Sequence, residues 1–439
     1  MVSSIRIALL GFLGLSIALT GFASLGYADD TGLTNDASTA LGVANGPKPD
    51  GGFPVGPFLI YPQFFIGTVY NDNVFATATS RLAAWGLQFT PSLMAVDDEG
   101  LHKTTLYFNG QLNAYPGARP VAGSGEQNTQ VTANVKLDHV WTPTPDVTVD
   151  VWSGYQRQNS IFGSAGGGTS SFVASATSLN VASFQQYSDL IFGGATIEKK
   201  ISDQFFVRGG VGAQYLNYEA PPPGVTSQLS GVDSNGFVRA GYWILPVVNA
   251  FVETGVDAER YSNSLYDTNA YRVITGLSSD LVSLFRGEAY FGYEQQFSAR
   301  GLFDSVGAPT YGGKLYYYPT QYLTLAAGLS QAFGSAATPT SNQPVVSSPT
   351  TQTLQARFEA DYAMAEYWTA SARAGWGQTT LSNSSVVQTA WTAGAGVSYN
   401  FWRNVGLTLN YQYLKAGTNS ALSPGYVQNM VSAGMTYHY

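Results

Sequence analysis

The chain has 439 residues and a formal net charge of −8, with only 11% charged residues, 14% aromatic residues, 49 glycines and no cysteine. A soluble reading would divide this length into about two to four domains, but ordinary globular domains carry roughly 25% charged residues, and this composition does not suit them. The acidic balance argues against a nucleic-acid partner, and beyond the N-terminus no apolar run reaches the ~18 residues of a membrane-crossing helix.

The first residues read as an export signal. Arg6 gives a positive start, Ile7 to Phe22 an apolar core, and Gly26-Tyr27-Ala28 a small-x-small cleavage site before Asp29 and Asp30. Residues 1–28 are expected to be removed. Residues 29–57, rich in Asp, Asn, Gly and Pro and without periodicity, read as a flexible periplasmic lead-in.

From Phe58 to Tyr439 the chain becomes a succession of period-two segments. Ala83, Trp85, Leu87 and Phe89 alternate with Ala84, Gly86, Gln88 and Thr90; Val131, Val135 and Leu137 with Thr132, Asn134, Lys136 and Asp138. Later, Val252 and Val256 oppose Glu253 and Asp257; Phe285, Ala289 and Phe291 oppose Arg286, Glu288 and Gly292; Phe358 and Tyr362 oppose Arg357, Glu359 and Asp361. Such alternation is the signature of strands with one apolar and one polar face. Residues 186–198 break the pattern, because Asp189 falls on the lipid side in one register and no register accounts for Leu190 and Phe192.

The connections alternate too. Short turns near 97–100, 143–146, 200–204, 246–249, 281–283, 319–322, 364–367 and 402–404 alternate with long Gly/Ser/Pro-rich segments, the longest at 158–184. Short periplasmic turns, longer outer loops and an even strand number of about 18 (16 being the alternative) define an all-β, transmembrane, antiparallel up-and-down β-barrel. An Arg or Lys facing lipid at mid-depth costs about 2–4 kcal/mol, so the face that carries the charges is the interior. In the last segment Val431, Ala433, Met435, Tyr437 and Tyr439 alternate with Ser432, Gly434, Thr436 and His438. A final strand ending on an aromatic residue resembles the sorting signal of bacterial outer-membrane barrels, which makes Tyr437 and Tyr439 the candidate assembly signal.

A barrel of 16–18 strands is wide enough for an aqueous channel, so the candidate functional residues are those of the inner wall. Lys136, Arg208, Arg239, Arg286, Arg357 and Arg373 are expected to line the pore low in the wall, in one belt with Asp138, Glu253, Glu288, Glu359 and Asp361. Such a belt either screens solutes by charge or ties the wall together through ion pairs. Asp257, Glu259 and Glu294 lie higher and suggest a cation-tolerant mouth. Loop 158–184, with Ile161, Phe162, Phe172, Val173 and Leu179, reads either as a constriction or as a surface loop. Trp141, Tyr187, Trp243, Tyr317, Tyr318, Trp368, Trp402, Tyr437 and Tyr439 fit interfacial girdles, and inward Tyr107, Tyr115, Trp152 and Tyr316 are candidates for stacking a sugar.

Catalysis finds little support. His102, His139 and His438 all fall near periplasmic turns, the first two facing lipid, and no His/Asp/Glu group has metal-ligand spacing. The chain reads as a non-enzyme without cofactor or metal.

Gly56-Pro57-Phe58, Tyr61-Pro62, Tyr70-Asn71-Asp72-Asn73-Val74-Phe75, Lys199 to Val207 and the terminal Tyr-His-Tyr resemble the outer-membrane β-barrel porins of the "porin 2" type. In that family a Tyr-x-Asp-Asn-hydrophobic-Phe element closes the first strand, and the resemblance covers about Phe53 to Tyr439. The constriction segment of the general porins is absent. The resemblance implies a link to exopolysaccharide secretion, which the composition does not show.

The leading reading is an outer-membrane, porin-like channel for passive passage of small hydrophilic solutes or ions. The alternatives are an exit barrel for an exopolysaccharide and a closed structural or adhesion barrel. The expected partners are outer-membrane lipid and lipopolysaccharide, the barrel assembly machinery and, for an exporter, a periplasmic polysaccharide export partner.

Overall fold

A segment with one apolar and one polar face must hide its backbone groups from any apolar surroundings, and a closed ring of strands does so without leaving an edge. The chain takes this solution. The computed structural model describes residues 52–78, 80–120, 128–160, 186–219, 230–282, 284–301, 304–335, 350–365, 367–381, 387–402, 404–418 and 425–438. The expected signal segment, most of the lead-in, loop residues 161–185 and Tyr439 lie outside them.

A short strand β1 (Phe53–Val55) precedes β2 (Phe58–Asn71), β3 (Ala84–Asp98), β4 (His102–Ala114), β5 (Thr129–Thr144) and β6 (Val147–Ser160). Then come β7 (Gln186–Lys200), β8 (Phe205–Tyr218), β9 (Gly231–Leu245), β10 (Val248–Tyr261), β11 (Thr268–Val282), β12 (Phe285–Ser298) and β13 (Val306–Thr320). The ring is completed by β14 (Leu323–Ser335), β15 (Thr350–Ala365), β16 (Trp368–Leu381), β17 (Val387–Trp402), β18 (Val405–Thr418) and β19 (Tyr426–His438). Every strand from β2 onward pairs antiparallel with its sequence neighbours, and β19 pairs with β2 from Met430↔Asn71 to His438↔Gln63. The result is a closed barrel of 18 strands. Below the seam, β1 takes over the edge of β2 through Phe53↔Ile60 to Val55↔Phe58. The hairpin that allows this turns at Gly56, whose φ of +61° suits a residue without Cβ.

The outer face is apolar and open. Trp85, Leu87 and Phe291 are 66%, 63% and 61% exposed, far beyond what a water-facing surface tolerates as a continuous band. Among the described residues, charged groups on this face occur only near strand ends: Arg157, Asp189, Arg260 and Lys415 toward the long-loop end, Asp97 and Lys199 toward the short-turn end. That is the distribution the cost of a lipid-facing charge requires.

The inner wall solves a packing problem with glycine. Phe206 lies directly opposite Gly241, Phe237 opposite Gly210, Phe251 opposite Gly276 and Phe192 opposite Gly154. In each pair a Cβ on the glycine would overlap the facing ring. The ring thus lies flat across the neighbouring strand, filling space the missing side chain leaves. In residues 186–198, Phe192 faces inward as part of this layer and Leu190 faces inward opposite Leu216. Asp189 faces outward at the long-loop end, where it accepts hydrogen bonds from Tyr155 (2.7 Å) and Arg157 (3.0 Å).

Candidate functional site: the inner wall and its mouth

Alternation along the strands puts Lys136, Arg208, Arg239, Arg286, Arg357, Arg373, Glu253, Asp257, Glu288, Glu359 and Asp361 on the inner face. Arg239, Glu253, Glu288, Glu359 and Arg373 are drawn together across strands. Arg239 is 4% exposed and holds Glu253 at 2.8 Å through Nε and Glu288 at 3.1 Å through a terminal nitrogen, and its guanidinium lies 3.9 Å from the Phe251 ring centre. Glu253 also binds Arg272 at 3.0 Å. Elsewhere Lys136 pairs with Asp138 at 3.1 Å, and Glu359 lies between Arg357, with which it pairs, and Arg373 at 3.6 Å. Arg208 stands opposite Glu198 on one side and Arg239 on the other. Arg286 lies opposite Tyr316.

Arg272 escaped the sequence reading, although Tyr271, Val273 and Leu277 place it on the polar face by simple alternation. A buried, mutually hydrogen-bonded set such as Arg239–Glu253–Arg272–Glu288 is worth most when intact, because removing one member strands a charge.

Toward the long-loop end the picture changes. Asp233, Asp257, Glu259 and Glu294 share the inner wall of β9, β10 and β12, with Arg272 the cation among them. Glu259 is anchored by Thr268 (2.6 Å) and Gln296 (3.2 Å), and Gln214 donates to Asp233.

Around β17 to β19 the inner wall is short and uncharged. Thr408 shares hydrogen bonds with Ser398 (2.9 Å) and Thr436 (2.7 Å), and Asn410 projects inward yet is exposed.

The segment after β2, which carries the rest of the Tyr-x-Asp-Asn-hydrophobic-Phe element, does not run straight out from the barrel rim. Instead it folds inward as a knot. Val74, Phe75, Tyr115 and Ala118 form a buried cluster with Val69, and Ala76 packs against Leu414, Ala416 and Tyr426. Asn73 is wholly buried; its amide donates to the carbonyls of Thr77 (2.8 Å) and Val427 (3.0 Å), and its Oδ1 accepts from the Thr77 N–H (3.0 Å). Gln428 donates to the Asn73 carbonyl (2.8 Å) and Gln130 to that of Val74 (3.1 Å). Ala76 adopts a φ of +52°, a strained value for a residue with a Cβ, sustained by the packing around it.

Several aromatic assignments change. Tyr115, 0% exposed, is a core residue of the knot, and Tyr107 is buried too, so neither offers a face for stacking a solute. Tyr187 is buried under Arg157 rather than placed in a girdle, and its hydroxyl donates to the Thr129 carbonyl (3.2 Å). Trp243, in contact with inward Phe206, and Tyr318, beside Thr324 and Asp361, point inward. Trp141, Tyr317, Trp368, Trp402 and Tyr437 do lie on the outer face at the short-turn end, Tyr437 stacked on Phe64 at 5.2 Å. His102 and His139 share this rim, with His102 Nδ1 3.4 Å from His139 Nε2, while His438 faces inward.

Among solved structures the chain is similar in fold to OccK9 (OpdG) of Pseudomonas aeruginosa, at 15% identity and a TM-score of 0.40 over 87% of this chain and 98% of that one. OccAB4 of Acinetobacter baumannii matches at 11% identity and 0.41 over 87% and 98%. The ferric enterobactin receptor PfeA of Pseudomonas aeruginosa matches at 8% and 0.40 over 86% and 80%. None of these carries over a solute. No curated protein matches the chain significantly. Residues 47–439 match the family described as "Putative beta-barrel porin 2", and the chain belongs to that family, as a barrel of the bacterial outer membrane.

Proposed function

We propose that the protein is a passive channel for small hydrophilic solutes or ions. The observation that carries this reading is Asn410. It projects inward from β18, opposite Gly396 and Ser432, and is nonetheless exposed to solvent. An 18-stranded ring is in the size range that leaves an aqueous lumen, and a wall of Gly, Ser, Thr and Asn over β17 to β19 gives that lumen a hydrogen-bonding, uncharged side. The inner charges of the mid-wall are held by partners on neighbouring strands, which supports a rigid conduit. Transport needs no chemistry from the chain, and the reading assigns it none.

Liposome swelling tests the proposal. Vesicles containing the refolded barrel should swell in isotonic arabinose and more slowly in a trisaccharide. Equal, background-level swelling in both would refute a diffusion channel.

A further inference from the structure

We infer that the outer half of the lumen contains a cation-selecting passage. One side is framed by the inward-folded knot after β2 and the other by the carboxylates Asp233, Asp257, Glu259 and Glu294. The inference rests on the channel reading and names the solute class of the same wall.

The first ground is placement. In a ring of 18 strands running from β2 to β19, β11 lies nine steps from β2 in either direction, hence opposite it. The knot covers the inner wall from β18 through β2 to β5, by way of Leu414, Gln428, Val69 and Gln130. The carboxylates stand on β9, β10 and β12, centred on the facing wall. Both sets belong to the long-loop half of their strands. A solute crossing this level passes between an apolar, rigid shoulder and a negative surface.

The second ground is what the carboxylates lack. Glu294 is only 5% exposed, and among the described residues it makes no hydrogen bond or ion pair. Asp233 has one carboxylate oxygen, Oδ1, buried without a hydrogen-bond partner. Arg272, opposite Glu294 on β11, directs a terminal nitrogen to Glu253 in the belt below. Glu294 and the Oδ1 of Asp233 are withdrawn from water without a donor, which is costly; Arg272 faces Glu294 but is shared with Glu253, and a cation in the passage adds countercharge. Carboxylates on one wall of a partly apolar conduit concentrate cations and repel anions. The paired belt beneath gives no comparable bias, because its carboxylates Glu253, Glu288 and Glu359 are matched by arginines.

The test is ion selectivity of the purified barrel in planar bilayers under a KCl gradient. The wild type should prefer K+ over Cl−, and Asp233→Asn with Glu294→Gln should lower that permeability ratio by about twofold or more. Spermidine added on the long-loop side should block the wild type at lower concentration than from the other side, and the variant should need several-fold more. A conducting wild type whose ratio and block are unchanged by the double substitution overturns the inference and leaves the channel reading standing. A folded wild type that never conducts overturns both. If the variant fails to show the heat-modifiable band of a folded barrel, spermidine on the wild type decides alone: absence of sided block refutes the passage.

Discussion

Asp72 and Asn429, 357 residues apart in the chain, hold each other by three hydrogen bonds. The Asn429 backbone N–H donates to Asp72 Oδ1 at 2.7 Å, its side-chain amide to Oδ2 at 2.6 Å, and the Asp72 N–H to the Asn429 carbonyl at 3.1 Å. The ladder between the first and last barrel strands stops at Asn71↔Met430, so this pair continues the seam one step beyond it. Asn73, gripping the Val427 carbonyl, continues it further. The seam is thus extended at one end by β1 and at the other by the knot.

Asp72→Ala should therefore loosen the seam. Hydrogen bonds to a charged group are worth about 1.5–3 kcal/mol each, so a loss on the order of 2–4 kcal/mol is expected after relaxation. The readout is the temperature at which the folded, fast-migrating band converts to the unfolded one. A conversion temperature equal to wild type would mean the latch contributes nothing to closure.

Removing Arg239 should cost more than removing an exposed arginine. Arg239→Ala leaves Glu253, 1% exposed, and Glu288 without their shared partner, a loss of about 3–5 kcal/mol. Arg300→Ala, in an exposed turn, should change stability by less than about 0.5 kcal/mol. Urea unfolding followed by tryptophan fluorescence compares the two, and similar midpoints would contradict the buried network.

Gly241 and Phe206 should behave as a coupled pair. Gly241→Val forces its side chain into the Phe206 ring and should destabilise the barrel by about 1–3 kcal/mol. Phe206→Ala opens room, so the double variant should be more stable than the sum of the single effects predicts. Strict additivity in refolding titrations would mean the ring does not lie across Gly241.

Tyr437→Lys tests the proposed assembly signal. The residue faces outward beside Phe64 near the end of β19. Outer-membrane fractions should contain several-fold less heat-modifiable protein than wild type. Undiminished levels would remove the sorting role from this strand.

The barrel was legible in the sequence because lipid and water make opposite demands on neighbouring residues. Val252, 55% exposed outside, and Glu253, 1% exposed inside, differ by one position and by the whole thickness of the wall. The same logic placed the belt of charges on the inner face. It could not show that the belt is cross-linked, because Arg239 and Glu288 sit on strands that are not sequence neighbours. It misjudged Trp243, since Tyr242 beside it is also aromatic and either could have faced out. The knot was unreadable for a further reason. Nothing local distinguishes Asn73 in a solvated loop from Asn73 bonded to Val427, and the partners lie at the far end of the chain. In 186–198 the inward Phe192 broke the polar-inside rule because the facing Gly154 accommodates its ring, and Leu190 did so opposite Leu216, cross-strand relations that one strand cannot display.

A passive channel requires that this outer-membrane barrel enclose an open aqueous path. Single-channel recording of the detergent-refolded barrel in planar bilayers, in symmetric KCl, tests it most directly. The barrel should show stable, stepwise conductance whose size scales with salt concentration. A correctly folded, heat-modifiable barrel that inserts and stays silent across the voltage range would contradict it.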